Sequence, residues 1–305
     1  VYRLDHKLGR IILSTHVDDG VGGASTQAVL DWFYERVLEQ GFKFSARGPW
    51  HTVLGFNVTR DLARRTTTIS AGKQIRDLAR QHLASEAAPD LDPATPTAPS
   101  IMTLEPAPVE SPEEAALHLG WRSEARSLKG ALVHIQQVHP AICNGVSRVC
   151  AHMAVPTRES YAGAKRILAW LAKRADIGVT YGAPHLRTLE DLLPPDQDVP
   201  PMADQRDYSL TCSVDSDLPG RAIEPNDEIV DAGSHRAQLG YTISLAGGSF
   251  ESVSRRQTST AVDVAAAEMF AASTAGAVLI HLTGVLFFVS FGVLGAEPVR
   301  MWCDN

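Results

Sequence analysis

The chain has 305 residues, of which 44% are hydrophobic, so it is long and apolar enough for two domains or one large domain with buried cores. The formal net charge of −7 is unevenly distributed: it is +4 over residues 1–82, −7 over 83–114, +6 over 115–185 and −10 over 186–305. This pattern is compatible with a basic polymer-binding surface and a carboxylate-rich metal domain, and also with ordinary solvated faces.

The cysteines and the first residues indicate the compartment. The chain has four cysteines and no CxxC pair, which argues against a disulfide framework and a zinc site. The first residues lack a basic segment followed by an apolar one, so we expect no signal peptide. We therefore expect an intracellular protein with reduced thiols.

The first third of the chain is predicted to mix strands and helices. The stretch "GRIILSTHVDDGVGGAS" predicts a hairpin, with Ile11–Val17 as one strand and a return strand near Val21–Ser25. A helix is predicted over "TQAVLDWFYERVLEQGF", ended by Gly41. Strands follow in "WHTVLGFNVTRD" and "RTTTISAG", and "KQIRDLARQHLA" has a helical pattern.

The middle of the chain is predicted to be helical between two linkers. Residues 85–114 are rich in Pro, Ala and Glu and are predicted to be a linker. Helices are predicted in "SLKGALVHIQQVHPAICNGVSRVCAHM" and in "RESYAGAKRILAWLAKRA". In the second of these, one face carries the apolar residues Tyr161, Ala164, Ile167, Leu168 and Leu171. Residues 186–206 form the second predicted linker.

The last third begins with strand patterns in "YSLTCSVDSD", "LGYTISLAGG" and "FESVSRRQ", followed by an Ala-rich helix around Glu268 and by "PVRMWCDN". The segment Ala275–Ala296 is uncharged and long enough to span a bilayer. It is interrupted by Gly284, Gly292, Gly295 and the polar His281, and no Lys or Arg flanks it closely on the N-terminal side. These features favour a buried helix followed by a strand over a membrane span, and we expect no membrane partner.

The adjacent carboxylates Asp18 and Asp19 are candidate metal ligands. A tight turn brings both acids to one space, and their proximity is unfavourable unless a cation neutralises them. Carboxylate oxygens suit Mg²⁺, and two such ions support phosphoryl transfer. On the dipeptide alone, an ordinary Asp-Asp turn is the strongly favoured interpretation.

A series of motifs along nearly the whole chain is similar to the motifs of one known family. "STHVDDGVGGAS" is similar to a "YVDD" box with His16 for Tyr, and "TVLGFNVTRD" to a box with "FLG". "ARSLKGALVHI" is similar to "YRSLVGSLxYL", and "SYAGAKRILAWLAKRADIGVTYG" to "HWxAAKRILRYLKGTxxxGLxY". "SVDSDLPG" and "VDVAAAEMFAAS" resemble "YSDADWAG" and "SSTEAEYxALS". In order and spacing, these boxes resemble the polymerase–ribonuclease H part of the Pol polyprotein of copia-type LTR retrotransposons.

The resemblance implies an α/β (α+β) fold with two functional parts. Residues 1–84 would be the C-terminal part of a reverse-transcriptase palm, and residues 115–185 a helical thumb or connection region. Residues 207–305 would form a ribonuclease H-like mixed sheet with helices. The implied activity is RNA-directed DNA polymerase with ribonuclease H, acting through Mg²⁺ or Mn²⁺.

The resemblance also implies site residues and partners. Its implied catalytic and metal-binding acids are Asp18, Asp19, Asp215, Glu268 and Asp304. Its implied nucleic-acid-binding residues are Leu54, Gly55, Lys165, Arg166, Arg255 and Arg256. The expected partners are an RNA template, a DNA primer, an RNA/DNA hybrid and, in an intact parent, dNTP. The expected location is cytoplasmic or nuclear, in a virus-like particle for the intact parent.

Departures from the family pattern indicate a truncated and possibly degenerate copy. The sequence has no match to the upstream palm acid or to the last ribonuclease H acid, so we expect no polymerisation by this chain alone and weak or no hydrolysis. Leu218, Ser252 and Ala266 replace a Trp, a Trp and a Glu of the family motifs, and the role of Asp217 stays open. The alternatives are a non-catalytic nucleic-acid-binding remnant and, more weakly, a membrane-anchored protein.

Overall fold

A computed structural model describes residues 1–16, 19–44, 48–64, 66–83, 95–102, 104, 111–182, 210–217, 236–290 and 299–303. Within these residues the chain is a mixed α/β protein with helices and several largely antiparallel sheets, which confirms the predicted fold class at this level. The strands are β1 (Tyr2–His6), β2 (Gly9–His16), β3 (Asp19–Ala24), β4 (Thr52–Val53), β5 (Phe56–Asp61), β6 (Thr66–Ser70), β7 (Gly178–Tyr181), β8 (Leu210–Asp217), β9 (Gln238–Leu245), β10 (Gly248–Arg256) and β11 (Arg300–Cys303). The helices are α1 (Gln27–Glu39), α2 (Gly72–His82), α3 (Pro99–Met102), α4 (Pro112–Ile135), α5 (Cys143–Cys150), α6 (Arg158–Ala172) and α7 (Val264–Val289), with a 3₁₀ turn at Pro140–Ile142.

The chain divides into two compact units. The first comprises Val1–His51 with Ile280–Pro298, and the second comprises Thr52–Leu279 with Val299–Asn305. The helix α7 therefore contributes its last residues to the first unit and its earlier residues to the second.

The first unit contains the predicted hairpin. Strands β1, β2 and β3 form an antiparallel sheet, and the register between β2 and β3 ends with His16 opposite Asp19. The hairpin prediction is confirmed, although the return strand begins at Asp19 rather than near Val21. Gly22 lies against the partner strand, where an added Cβ would be 2.3 Å from the carbonyl oxygen of Ile12. Any larger residue would push these two strands apart.

The second unit has a helical core built from α2 to α6. The predicted apolar face of α6 is buried in full, because its residues recur at helical spacing and meet the neighbouring helices. Helix α4 begins with a capping box between Ser111 and Glu114, and α6 with one between Thr157 and Ser160. These caps satisfy backbone N–H groups that a helix start otherwise leaves without partners.

Part of the predicted linker 85–114 belongs to this core. Residues 99–102 form α3, whose Ile101 is only 2% exposed, and α4 begins at Pro112. Ile101 packs at Gly163 of α6, where an added Cβ would lie 3.1 Å from Ile101 Cγ1. Because Gly163 has no side chain, Ile101 of the Pro-rich segment can pack against α6.

The second unit also holds two four-stranded sheets. One has the order β4-β5-β6-β7 and the other has the order β10-β9-β8-β11. In the latter sheet, β8, β9 and β10 form an antiparallel meander, and β11 pairs with β8 in parallel after α7. The strand predictions for this region are confirmed, and the sheet is mixed as expected.

Helix α7 differs from the expected buried helix followed by a strand. The helix continues to Val289, and the next described strand begins at Arg300. It is the one helix in the described part of the chain that is long and apolar enough to cross a membrane, and 11% of its most apolar window is buried. Its first turns bury Ala267, Ala271 and Ala275, whereas Ile280 is 79% exposed. Length and composition alone do not distinguish a membrane-crossing helix from a helix of a soluble domain.

Candidate functional site

The first candidate site is the β2–β3 hairpin with the two adjacent acids. Asp19 begins β3 opposite His16, and Asp18 lies outside the described residues. The paired strands hold the backbone of Asp19 at the tip of the hairpin, as the sequence predicts. The metal-binding role of the two acids stays a prediction.

Leu54 and Gly55 form the two-residue turn between β4 and β5. Both have positive φ, 48° for Leu54 and 81° for Gly55, and Val53 pairs with Phe56 across the turn. This conformation suits Gly and is strained for Leu. Leu54 is nonetheless 60% exposed at the surface.

Two helices, α2 and α4, contact the backbone of this turn. Gln74 Nε2 on α2 donates to the carbonyl oxygen of Gly55 at 3.0 Å. On α4, Nε2 of His134 lies 3.2 Å from the carbonyl oxygen of Leu54, and its ring stacks on Phe56 at 4.3 Å. These contacts from α2 and α4 hold the strained backbone of Leu54 in place, and the nucleic-acid-binding role of the turn stays a prediction.

Lys165 and Arg166 lie side by side on α6 and are both half-buried. The ammonium of Lys165 sits 4.7 Å from the ring centre of Tyr161. The Tyr161 ring also stacks with Trp121 of α4. The guanidinium carbon of Arg158 lies 4.2 Å from the centre of the Trp121 ring. The cations of α6 therefore cover aromatic rings of α4 and α6, of which Tyr161 belongs to the buried core, and their nucleic-acid-binding role stays a prediction.

Glu268 of α7 contacts the C-terminal ends of the strands β8 and β11. Glu268 on α7 is 5% exposed, and its Oε1 accepts a hydrogen bond from the backbone N–H of Ser216 at 3.1 Å. Its Oε2 accepts from the thiol of Cys303 at 3.2 Å. Ser216 follows Asp215 in the chain, and Asp304, which follows Cys303, lies outside the described residues. Glu268 therefore joins the ends of the two parallel strands β8 and β11.

The two acids of β8 lie on the opposite face from the buried residues of that strand. Along β8, alternate residues are buried, and Asp215 and Asp217 are both exposed. Because the side chains of a strand alternate, these acids share one face of the sheet. Asp217 is opposite Gln238, which is opposite Arg256 on β10, so these three share that face as well.

The register separates the two arginines that the resemblance implies. Arg255 is paired with Leu239, which is opposite Ser216, so it points to the face opposite to Asp215. Arg256 alone shares the face of Asp215. Sequence proximity suggested that both arginines would lie beside a substrate strand, and the strand alternation allows this for only one of them.

The motif comparison missed Arg148 on α5, which belongs to the same face. One of its terminal nitrogens, Nη2, lies 3.9 Å from Oδ2 of Asp217. Burial, with the nearby charge of Arg256 as a smaller cause, lowers the pKa of Arg148, and Asp217 opposes this shift. No local pattern indicates this residue, because the fold brings it to Asp217 from a distant helix.

The carboxylates of Asp215 and Glu268 fit a hard divalent cation by type, but Asp215 lies on the exposed face of β8, whereas Ser216 and α7 are on the opposite face. Carboxylate oxygens are the ligands that Mg²⁺ prefers, and each Glu268 oxygen retains a lone pair beyond its hydrogen bond. Among the residues that the structure describes, no group of three His, Cys, Asp or Glu side chains lies close enough to hold a metal ion. Within the described residues, Glu268 contacts the backbone of Ser216 and the thiol of Cys303, and its metal-binding role with Asp215 stays a prediction.

Comparison with known proteins adds no relative: no protein-family model, no curated protein and no solved structure matches this chain.

Proposed function

We propose that the chain is part of a copia-type retrotransposon Pol protein, with a reverse-transcriptase palm and thumb region followed by a ribonuclease H-like domain. Its substrates would be an RNA template, a DNA primer and the RNA/DNA hybrid that they generate. The motif series along the sequence is the starting point of this proposal. The geometry of the C-terminal sheet is its main structural support.

One observation carries the ribonuclease H part of the proposal. The strands β8, β9 and β10 form an antiparallel meander, and after the helix α7 the strand β11 pairs with β8 in parallel. The sheet therefore has the order β10-β9-β8-β11. The acid on the connecting helix, Glu268, reaches both the residue after Asp215 and the last described residue of β11. Glu268 thereby links the ends of the strands β8 and β11, one residue along the chain from Asp215.

In this proposal Asp215 and Glu268 bind Mg²⁺ or Mn²⁺, with Asp304 as the third acid. The bound ion would activate water and stabilise the leaving oxygen of the RNA strand. The protein groups hold the strand in place: the half-buried cations of α6 contact phosphates, and the turn at Leu54 and Gly55 contacts the primer end. Asp18 and Asp19 are the corresponding ligands for polymerisation.

A second candidate, a nucleic-acid-binding protein without turnover, is favoured by a specific observation. Both oxygens of Glu268 already accept hydrogen bonds, from the N–H of Ser216 and from the thiol of Cys303. These bonds stabilise the junction of β8 with β11 in the absence of any ion. In this alternative, Glu268 is a structural residue and the basic surfaces alone retain a function.

Hydrolysis of an RNA/DNA hybrid tests the proposal. The wild-type chain is incubated with a hybrid whose RNA strand carries a 5′ label, in Mn²⁺ or in EDTA. We expect Mn²⁺-dependent RNA cleavage that falls to background in Asp215→Asn, and that is slow because the sequence has no match to the last ribonuclease H acid. Asp176→Asn removes an exposed carboxylate of the same unit and is the matched control.

The outcomes separate the two candidates. Cleavage that Asp215→Asn abolishes and Asp176→Asn retains supports the enzyme. Hybrid binding without cleavage supports the non-catalytic alternative. A chain that neither binds nor cleaves the hybrid contradicts both.

A further inference from the structure

His82, the last residue of α2, is a buried histidine at the junction of three helices of the second unit. It is only 4% exposed. Its Nδ1 lies 3.2 Å from the hydroxyl oxygen of Tyr161 on α6, and this hydroxyl donates to Oε2 of Glu124 on α4 at 3.4 Å. A chain of polar contacts from His82 through Tyr161 to Glu124 therefore connects α2 with α6 and α4.

The two ring nitrogens of His82 have different surroundings. Because the Tyr161 hydroxyl donates to Glu124, the hydrogen-bond pattern assigns the proton of the neutral ring to Nδ1. The other nitrogen, Nε2, is buried and has no hydrogen-bond partner among the residues that the structure describes. A second proton would bind to Nε2, and it would create a buried positive charge together with an N–H group that has no acceptor.

The charged groups around the ring do not reverse this effect. Burial is the largest cause and lowers the pKa of His82, while Glu124 on α4 raises it and Lys165 on α6 lowers it further. The third element packed against α2 is β5, whose charged residues are Arg60 and Asp61. The C-terminal end of α2 also favours a cation, but the loss of hydration on burial outweighs it, since the shift is downward.

We infer that protonation of His82 releases the C-terminal end of α2 from α4 and α6, so that the attachment of this helix is sensitive to acid. Below pH 6.5, the ordinary pKa of histidine, the open form binds a proton that the packed form does not, so a fall in pH favours the open form. Helix α2 also carries Gln74, which donates to the carbonyl oxygen of Gly55, so one anchor of the turn at Leu54 and Gly55 depends on the same helix. The inference goes beyond the proposed function, because it requires neither a nucleic acid nor a metal ion.

The test is hydrogen exchange of the full chain, measured by mass spectrometry at about pH 7 and about pH 5 and corrected for the intrinsic exchange rate. Uptake of one proton limits the effect over this range to about 30-fold, and we expect the protection of the α2 amides in the wild type to fall about tenfold. His82→Phe keeps a buried aromatic ring that cannot be protonated, so its α2 protection should change less than about twofold. His51→Phe makes the same change at an exposed histidine, and it should behave as the wild type does.

An NMR titration of the His82 ring in the wild type is a second measurement, and it does not depend on the folding of a variant. We expect this ring to take up its proton below pH 6.5. The inference is overturned if His82 titrates at or above this pH, or if wild-type α2 is equally protected at both pH values. It is also overturned if α2 loses as much protection in His82→Phe as in the wild type, or if α4 and α6 lose as much as α2. None of these results bears on hybrid cleavage or Mn²⁺ binding.

Discussion

A fully buried lysine lies among the packed helices of the second unit. Lys129 on α4 is 0% exposed, and its Nζ donates to Ser160 Oγ at 2.8 Å and to the carbonyl oxygen of His152 at 3.1 Å. Burial lowers the pKa of Lys129 to about 8, because a buried ammonium loses its hydration. The resembled motif has Val at this position, so the lysine interrupts an otherwise apolar face.

The lowered pKa of Lys129 predicts a specific pH dependence of stability. Between pH 8 and pH 10.5 the unfolded chain keeps the Lys129 proton and the folded chain has lost it, so unfolding takes up a proton and stability rises with pH. Below pH 8 both states are protonated and the full unfavourable effect of the buried charge is present. The free energy of unfolding of the wild type, relative to that of Lys129→Met, should rise by up to about 3 kcal/mol across this window.

Urea unfolding of both proteins at several pH values measures this difference. Lys73→Met, which removes an exposed lysine from α2, separates the effect of burial from the loss of a charge. A difference between wild type and Lys129→Met that is flat in pH, or that falls with rising pH, would show that Lys129 is not a buried cation.

At the scale of elements, the short helix α3 joins the core although its sequence indicates a linker. Ile101 is surrounded by α5 and α6 and belongs to the main buried cluster of the second unit. Its burial should contribute to stability as that of any core isoleucine does.

We therefore expect Ile101→Ala to lower the free energy of unfolding by about 3 kcal/mol. Ile177→Ala makes the same chemical change at a 59% exposed position of the same unit and should cost less than about 0.5 kcal/mol. Tryptophan fluorescence in urea is a suitable measurement, because Trp121 and Trp170 pack against this core. Equal losses in the two variants would place the segment around Ile101 outside the core.

The contrast between α6 and α3 explains what the sequence could predict among the elements. The face of α6 follows a helical period over four turns, so its burial could be read locally. In the segment 99–102, Ile101 becomes buried because Gly163 leaves space in a distant helix. Helix α7 shows the reverse: its residues predict a helix, but their uniform apolarity does not indicate where it ends or which face is buried.

For the candidate site, residue types were predictable and their grouping only partly so. Glu268 was correctly expected on a helix between strands, and Asp215 on the first strand of the meander. The row of Asp217, Gln238 and Arg256 depends on the register of three strands. Arg148 enters through the packing of α5, which no local pattern encodes.

At the scale of the whole molecule, the uneven charge of the sequence corresponds to different elements. Most basic residues of 115–185 lie on the helices of the second unit, and Asp215, Asp217 and Glu268 lie on β8 and α7 of the same unit. A nucleic-acid strand would be attracted by the helices and repelled by the acids unless a cation neutralises these acids. Divalent-ion binding is therefore the property on which the whole account depends.

Isothermal titration calorimetry of Mn²⁺ into the full chain tests this claim most directly. We predict saturable binding to the wild type that is lost in Asp215→Asn, weakened in Glu268→Gln and unchanged in Asp176→Asn. Absence of Mn²⁺ binding to the wild type, or binding that both Asp215→Asn and Glu268→Gln retain at full strength, would contradict the account.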